Sequence, residues 1–387
     1  MEIKQKTKIR LRLFLLFAFF LAASNALTAY IQSSYLSQFF GQKYVGWIFI
    51  FAYFLTLLAI NNFTSLINKL KIFKASFLII SGLTICLFAL AFASQPLIIL
   101  PFFLLYIVLL NLVWIAFDIY VEYFSRDEIT GRVRGLYLTS CHLAWLGSPI
   151  TSGWILQTFD YRFLFLISGF LAFFVCLSFF RFNKLSFDHF TSLNLPLALK
   201  KIAQNPPLKA IFAITFLLQS FYCVMVVYLP IYLHQYLGFS WQQIGVIFTA
   251  MLLNFVLLTY PAGWLADKYL GEKEMLTIGF LIMGLATLSI GLIKTSNFGI
   301  WLITIFLTRL GASLVDILKD SYFFKHVDAH DAQIINLFRN TTSLAYIFTP
   351  LLATIVLSFF GYQYIFIITG LLIFSGLYFS LTLKDTR

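Results

Sequence analysis

The sequence predicts an all-α integral membrane protein of twelve transmembrane helices, arranged as two pseudo-symmetric six-helix bundles. Three observations lead there. Of the 387 residues, 61% are hydrophobic and 11% charged, whereas a soluble domain carries about a quarter charged residues. Apolar runs long enough to cross a bilayer recur from end to end. The second half of the chain also repeats the first.

A helix rising about 1.5 Å per residue needs about 20 residues to cross about 30 Å of hydrocarbon. Runs of that length fall at 11–31, 44–63, 74–94, 97–121, 135–158 and 161–181 in the first half. In the second half they fall at 208–234, 242–262, 274–294, 299–321, 334–359 and 362–383. The basic leader and Leu13–Ala23 have the look of a cleavable signal, but cleavage would remove a helix that the repeat requires.

The repeat is read by self-comparison. Residues 159–169, FDYRFLFLISG, match 360–370, FGYQYIFIITG, and Pro149 matches Pro350, both 201 residues apart. Tyr35–Gly41 likewise matches Tyr232–Gly238, and Asp118 with Glu122 mirrors Asp316 with Asp320. Each half holds an even number of helices, so both enter the membrane from the same side and run parallel. The expected organisation is a bundle over 1–182, a linker over 183–207 and a bundle over 208–387. In the linker, Asn194 starts a short amphipathic helix lying on the membrane surface.

The net charge of +12 reports topology and not a nucleic-acid partner. Lys and Arg gather before span one, after spans two, four, eight and ten, in the linker and at the carboxyl end, while the opposite loops hold only Lys43, Arg162 and Lys294. By the positive-inside rule both termini face the cytoplasm of a cell membrane. Cys86, Cys141, Cys176 and Cys223 all lie inside spans with no CxxC pair, so they read as packing residues. The 47 Phe are read as membrane apolarity together with a codon bias. No phosphate-binding glycine loop is present, which argues against ATP-driven transport by this chain alone. His326, Asp328, His330 and Asp331 have metal-ligand types, but they read as a polar loop, so no metal or other cofactor is expected. His142 reads as a buried, hydrogen-bonded histidine.

Between spans eight and nine stands Gly263-Trp264-Leu265-Ala266-Asp267-Lys268-Tyr269-Leu270-Gly271-Glu272-Lys273. With this segment the chain resembles the major facilitator superfamily over nearly its whole length. The family signature is Gly-x-Leu-Ala-Asp-Arg-x-Gly-Arg-Lys, here with one residue inserted before Gly271 and Glu272 at a usually basic place. In the aligned first-half segment Asn68 replaces the acid, so that copy has lost its ionic role. Gly147-Ser148-Pro149-Ile150-Thr151-Ser152-Gly153 in span five resembles the Gly-Pro-x-x-Gly-Gly element of drug/proton antiporters, with Ser at two glycine positions. Gly147, Pro149 and Gly153 would kink the helix and permit close packing.

The resemblance implies that spans one, four, seven and ten line a central cavity, which nominates Asn25, Asn111, Tyr222 and Arg309, with Gln219 nearby. Arg309 lies about 15 Å deep by counting along span ten, and an Arg there needs a cavity or a partner. Asp118, Glu122, Asp316 and Asp320 are the candidate proton-coupling carboxylates. A cytoplasmic latch is expected from Gly263, Asp267, Lys268 and Gly271 with Asp320, Arg134 and Arg339. The implied function is secondary transport of a small organic solute by alternating access, as proton-coupled efflux or, alternatively, proton-coupled uptake. The partners are the solute, protons and the lipid bilayer, and the chain is expected to work as a monomer.

Overall fold

The computed structural model describes residues 2–124, 130–182, 195–266, 268, 271–327 and 332–383, and every regular element among them is helical. Span one is Glu2–Ala29, followed by a separate helix Gln32–Phe40. Spans two and three form one 51-residue run, Gln42–Phe92, broken at Lys71. Pro96–Phe124, Thr130–Thr158 and Tyr161–Phe179 complete the first half. In the second half, span seven occupies Pro206–Tyr236, span eight Trp241–Leu265 and span nine Glu272–Leu292. Phe298–His326, Ala332–Phe359 and Gln363–Thr382 are spans ten to twelve.

Among the described residues, ten helices are individually long and apolar enough to cross a membrane, with Gln42–Phe92 counted once. Thr130–Thr158 is not among them, because hydroxyl and glycine residues dilute it. It takes its place as span five through packing on span one. The linker helix runs Leu195–Gln204, and span seven then starts on Pro206 with Asn205 accepting from the amide of Leu208. That is the N-cap followed by N1 proline of an ordinary helix start. Asn194 lies outside the described residues.

The repeat also appears in the backbone. Gly41 and Gly238, paired by the sequence match, close spans one and seven with φ of 80° and 72°. Nothing lies within 4 Å of where either Cβ would sit, so the backbone conformation and not space demands glycine. A second pair was not legible. Gly271 has φ 81°, ψ 160°, and Lys71, 200 residues earlier, has φ 66°, ψ 152°. An exposed lysine thus occupies a region that is almost glycine-only, at a cost of about 1–3 kcal/mol. Glycine there relieves that strain against about 0.5–1 kcal/mol of extra unfolded-state entropy. Lys71→Gly is therefore expected to stabilise by about 1 kcal/mol, and Lys71→Ala to gain nothing. A thiol-reactive dye reporting on the four buried cysteines during heating checks this. Equal midpoints for the glycine and alanine variants would refute the strain.

The chain packs as two compact units, residues 1–40 with 51–192, and 41–50 with 193–387. In the first, Phe14 stacks within 5.1 Å of Phe117 and 5.6 Å of Phe124, and Phe179 and Phe182 join the same buried cluster. Part of the phenylalanine content is therefore a core. Ser24 donates to the carbonyl of Ser168 at 2.8 Å and Ser152 to that of Leu27 at 2.7 Å, tying span one to spans six and five.

The second unit closes on glycines. A Cβ at Gly311 would stand 2.5 Å from the amide nitrogen of Met283 and 2.6 Å from the carbonyl of Gly279, so spans nine and ten touch backbone to backbone. Gly370 brings span twelve equally close to Leu288 of span nine. Small residues at such crossings are the usual means of helix packing in lipid. The segment 41–50 belongs here too: the Tyr236 hydroxyl donates to Gln42 at 2.6 Å, and Gly46 faces Thr354 and Tyr228. The sequence expectation put this segment wholly with the first bundle.

Candidate functional site

Span ten is fixed at its first turn before it carries any chemistry. Asn297 accepts from the amide of Ile300 at 3.2 Å, and the buried Trp301 donates its indole N–H to Thr295 at 2.7 Å. Two turns further in, the buried Asn254 of span eight donates to the carbonyl of Phe306 at 3.1 Å.

Arg309 follows one turn later and is only 4% exposed. Its guanidinium carbon lies 4.8 Å from the ring centre of Tyr222 and 5.7 Å from that of Phe221, both on span seven. Nε and Nη2 meet no acceptor among the described residues. The structure therefore brings together two of the nominated residues, Arg309 and Tyr222. Gln219 sits half-buried one turn before Tyr222.

The first-half candidates belong to the other unit. Asn25 is half-buried, and its carbonyl accepts from Thr28 at 3.1 Å. Asn111 donates its amide to the Ile107 carbonyl of its own helix at 2.8 Å. Beside them lies a polar cluster that sequence reasoning missed: the Tyr106 hydroxyl contacts Thr28 at 3.0 Å and Gln32 at 3.3 Å, all three buried. A Gln at the end of span one and a Tyr one helical turn before Asn111 were the available signals.

The coupling carboxylates of span ten have a partner that was also missed. Lys319, 5% exposed, places Nζ 2.9 Å from Asp316 and 2.7 Å from Asp320. It also lies 5.4 Å from the ring centre of Phe338 in span eleven. Asp316 and Asp320 are thus the two arms of one ion triad around a buried Lys319. In the first half, Asp118 is half-buried and within electrostatic range of Cys141, while Glu122 is exposed.

For the expected latch, the described contact of Asp320 is with Lys319 of its own helix at 2.7 Å. Arg339 is half-buried in span eleven and Arg134 exposed in span five, each with interactions of its own. Asp267 lies outside the described residues; Gly263 ends span eight, and Lys268 is exposed. Gly271 supplies a positive-φ turn ahead of span nine. The unusual Glu272 directly after it is buried and pairs with Lys325 at the far end of span ten. A carboxylate in the first turn of span nine also faces the positive end of that helix.

Lys325→Ala is expected to cost about 1–2 kcal/mol, below the value for a fully buried pair because Lys325 is 41% exposed. Exchanging the two residues should restore only part, since the helix terminus opposes a cation. Full recovery in the exchange variant, read as a thermal midpoint, would show that the helix end contributes nothing.

In span five, Pro149 and Gly153 are buried, and Ser152, standing at a family glycine position, makes the bond to span one. Gly147 is exposed with nothing within 4 Å of its Cβ position, so close packing is supplied by the Ser148–Gly153 side and not by Gly147. His142 is exposed, not buried as expected. His326 bonds the Tyr322 carbonyl at 2.9 Å, and its loop companions Asp328, His330 and Asp331 lie outside the described residues. Among the described residues no cluster of three metal-ligand side chains forms.

Residues 13–251 and 210–387 match the family model described as Major Facilitator Superfamily. No curated protein matches the chain. Among solved structures, a bacterial homologue of the human lysosomal transporter Spinster, inward-facing and occupied, superimposes with a TM-score of 0.76. That match has 10% identity over 96% of each chain. The inward-facing, unoccupied form of a bacterial Spinster homologue gives 0.74 at 9% identity, covering 97% of this chain and 96% of that one. At such identities the likeness concerns the fold.

Proposed function

From the premise that the chain belongs to the major facilitator superfamily, we propose that it moves a small organic solute by alternating access and exchanges it for protons. The family makes it a multi-pass membrane transporter and not an enzyme. Proton coupling, the antiport direction, action as a monomer and residence in a cell membrane with both ends cytoplasmic are our reading.

The observation that carries the coupling is the triad of span ten. Two carboxylates share one buried ammonium. Taking up a proton on either neutralises the group without leaving Lys319 unpaired. A single Asp–Lys pair lacks that property, because protonating its acid strands a buried cation. The triad therefore has two protonation states that the fold tolerates, as a coupling site requires. Asp118 and Glu122 stand at the matching repeat positions in the first unit. The serine and proline element of span five, bonded to span one, supports the antiport direction.

Proteoliposomes loaded with a metabolite and drug panel, with a pH gradient of either sign, test this reading. Antiport requires solute to move against the proton flow. Solute moving with the protons would make the chain a symporter, and flux indifferent to the gradient would remove proton coupling.

A further inference from the structure

We infer that Arg309 is the carboxylate-binding element of the substrate site, and that the transported solute carries a carboxylate. The inference rests on the transport reading above for the word substrate, but the site itself stands on geometry within one unit.

An arginine cannot shed its charge in a protein, unlike lysine or histidine, so burial does not resolve itself by deprotonation. Arg309 is nonetheless 96% buried by its 4% exposure, and two of its nitrogens meet nothing. Those two are not arbitrary. Nε and Nη2 form one edge of the guanidinium, with their N–H bonds parallel and spaced to meet the two oxygens of a single oxyanion. The guanidinium carbon stands over the Tyr222 ring at 4.8 Å from its centre and over the Phe221 ring at 5.7 Å, contacts of cation with π system. Those contacts supply no hydrogen-bond acceptor, and the Nε/Nη2 edge has none among the described residues.

The nearest acid on the same helical stripe does not answer this need. Asp316 lies about two turns along span ten and is held by Lys319 at 2.9 Å. Span ten thus carries two buried cations with opposite arrangements: Lys319 has two carboxylates of its own, and Arg309 has none among the described residues. The second is the arrangement of a site awaiting an anion from outside the chain.

The test uses the purified full chain in detergent, with its thermal midpoint read by thiol dye on the buried cysteines. Acetate, benzoate and indole-3-acetate are each compared with their neutral amides, and with chloride and inorganic phosphate. At least one organic acid should raise the midpoint by about 3 °C near saturation while its amide does not. Arg309→Gln should abolish that rise, and Arg309→Lys should retain only a small part, since a point charge replaces the fork. Without any additive, Arg309→Gln should be as stable as the parent or more so, because an unpaired buried charge has been removed.

The inference is overturned if no acid shifts the parent, if the amides act as well as the acids, or if the response persists in Arg309→Gln. It is overturned equally if chloride or phosphate alone acts, or if Arg309→Gln fails to fold, which would make Arg309 structural. Acid binding without gradient-driven flux would defeat the transport reading and leave the site. Flux of neutral solutes unaffected by Arg309→Gln would do the reverse.

Discussion

Replacing Asp316 and Asp320 together by asparagine is expected to lower stability by about 3–5 kcal/mol, and adding Lys319→Met is expected to return most of it. The cost does not come from the carboxylates themselves, whose side chains are 31% and 53% exposed. It comes from Lys319, whose side chain is 6% exposed and would either hold an ammonium with no counter-charge among buried apolar side chains or give up its proton at a cost. Methionine has nearly the same length, needs no partner and packs on the Phe338 ring that Lys319 now faces. Single Asn variants should be far milder than the double one, because either acid alone still serves the cation. Thermal midpoints of the parent, two single, one double and one triple variant form a closed set. Additive single effects, or a triple variant no better than the double, would mean that Lys319 is not held by this pair. The same set should separate stability from coupling: the triple variant folds but loses the response of transport to pH.

Gly311→Ala is the second large effect. An added methyl would stand 2.5 Å from one backbone atom and 2.6 Å from another of span nine, and backbone cannot rotate aside as a side-chain end can. Overpacking a tight core costs about 1–3 kcal/mol, occasionally more. With backbone on both sides the cost should lie at or beyond the upper end. Gly311→Val should prevent accumulation of folded protein. Gly147→Ala, at an open glycine of span five, is the control and should cost under about 1 kcal/mol. Similar midpoints for Gly311→Ala and Gly147→Ala would show that spans nine and ten separate without penalty.

The helices were legible because each must satisfy its own backbone in lipid, a demand that writes itself into about 20 consecutive residues. The pairing of Gly41 with Gly238 was legible in the repeat, though their positive-φ backbone was read only from the structure. Lys71 was not, since a lysine gives no sign of a left-handed backbone. Arg309 was found by counting depth, but its open edge depends on what neighbouring helices fail to offer, and no single segment records that. Lys319 was missed although it lies three residues after Asp316 and one before Asp320. The acids were read as a stripe, when a charge inside a span calls first for its counter-charge. The polar trio of Thr28, Gln32 and Tyr106 escaped for the opposite reason, because its members are uncharged and Tyr106 lies 74 to 78 residues from the other two.

The placement of residues 41–50 bears on how the molecule can be taken apart. A gene duplication predicts a clean seam at the linker, and dissection into two polypeptides would naturally cut there. Yet the carboxyl-terminal unit includes ten residues that such a cut would leave on the other piece. Expressed alone from residue 193, that unit would lose the Gly46 surface that covers Tyr228 and Thr354 and the Gln42 partner of Tyr236. Complementation from separate halves would then require the amino-terminal piece to be present while the other is still folding. The boundary implied by the sequence repeat and the boundary of the packed unit therefore differ by residues 41–50.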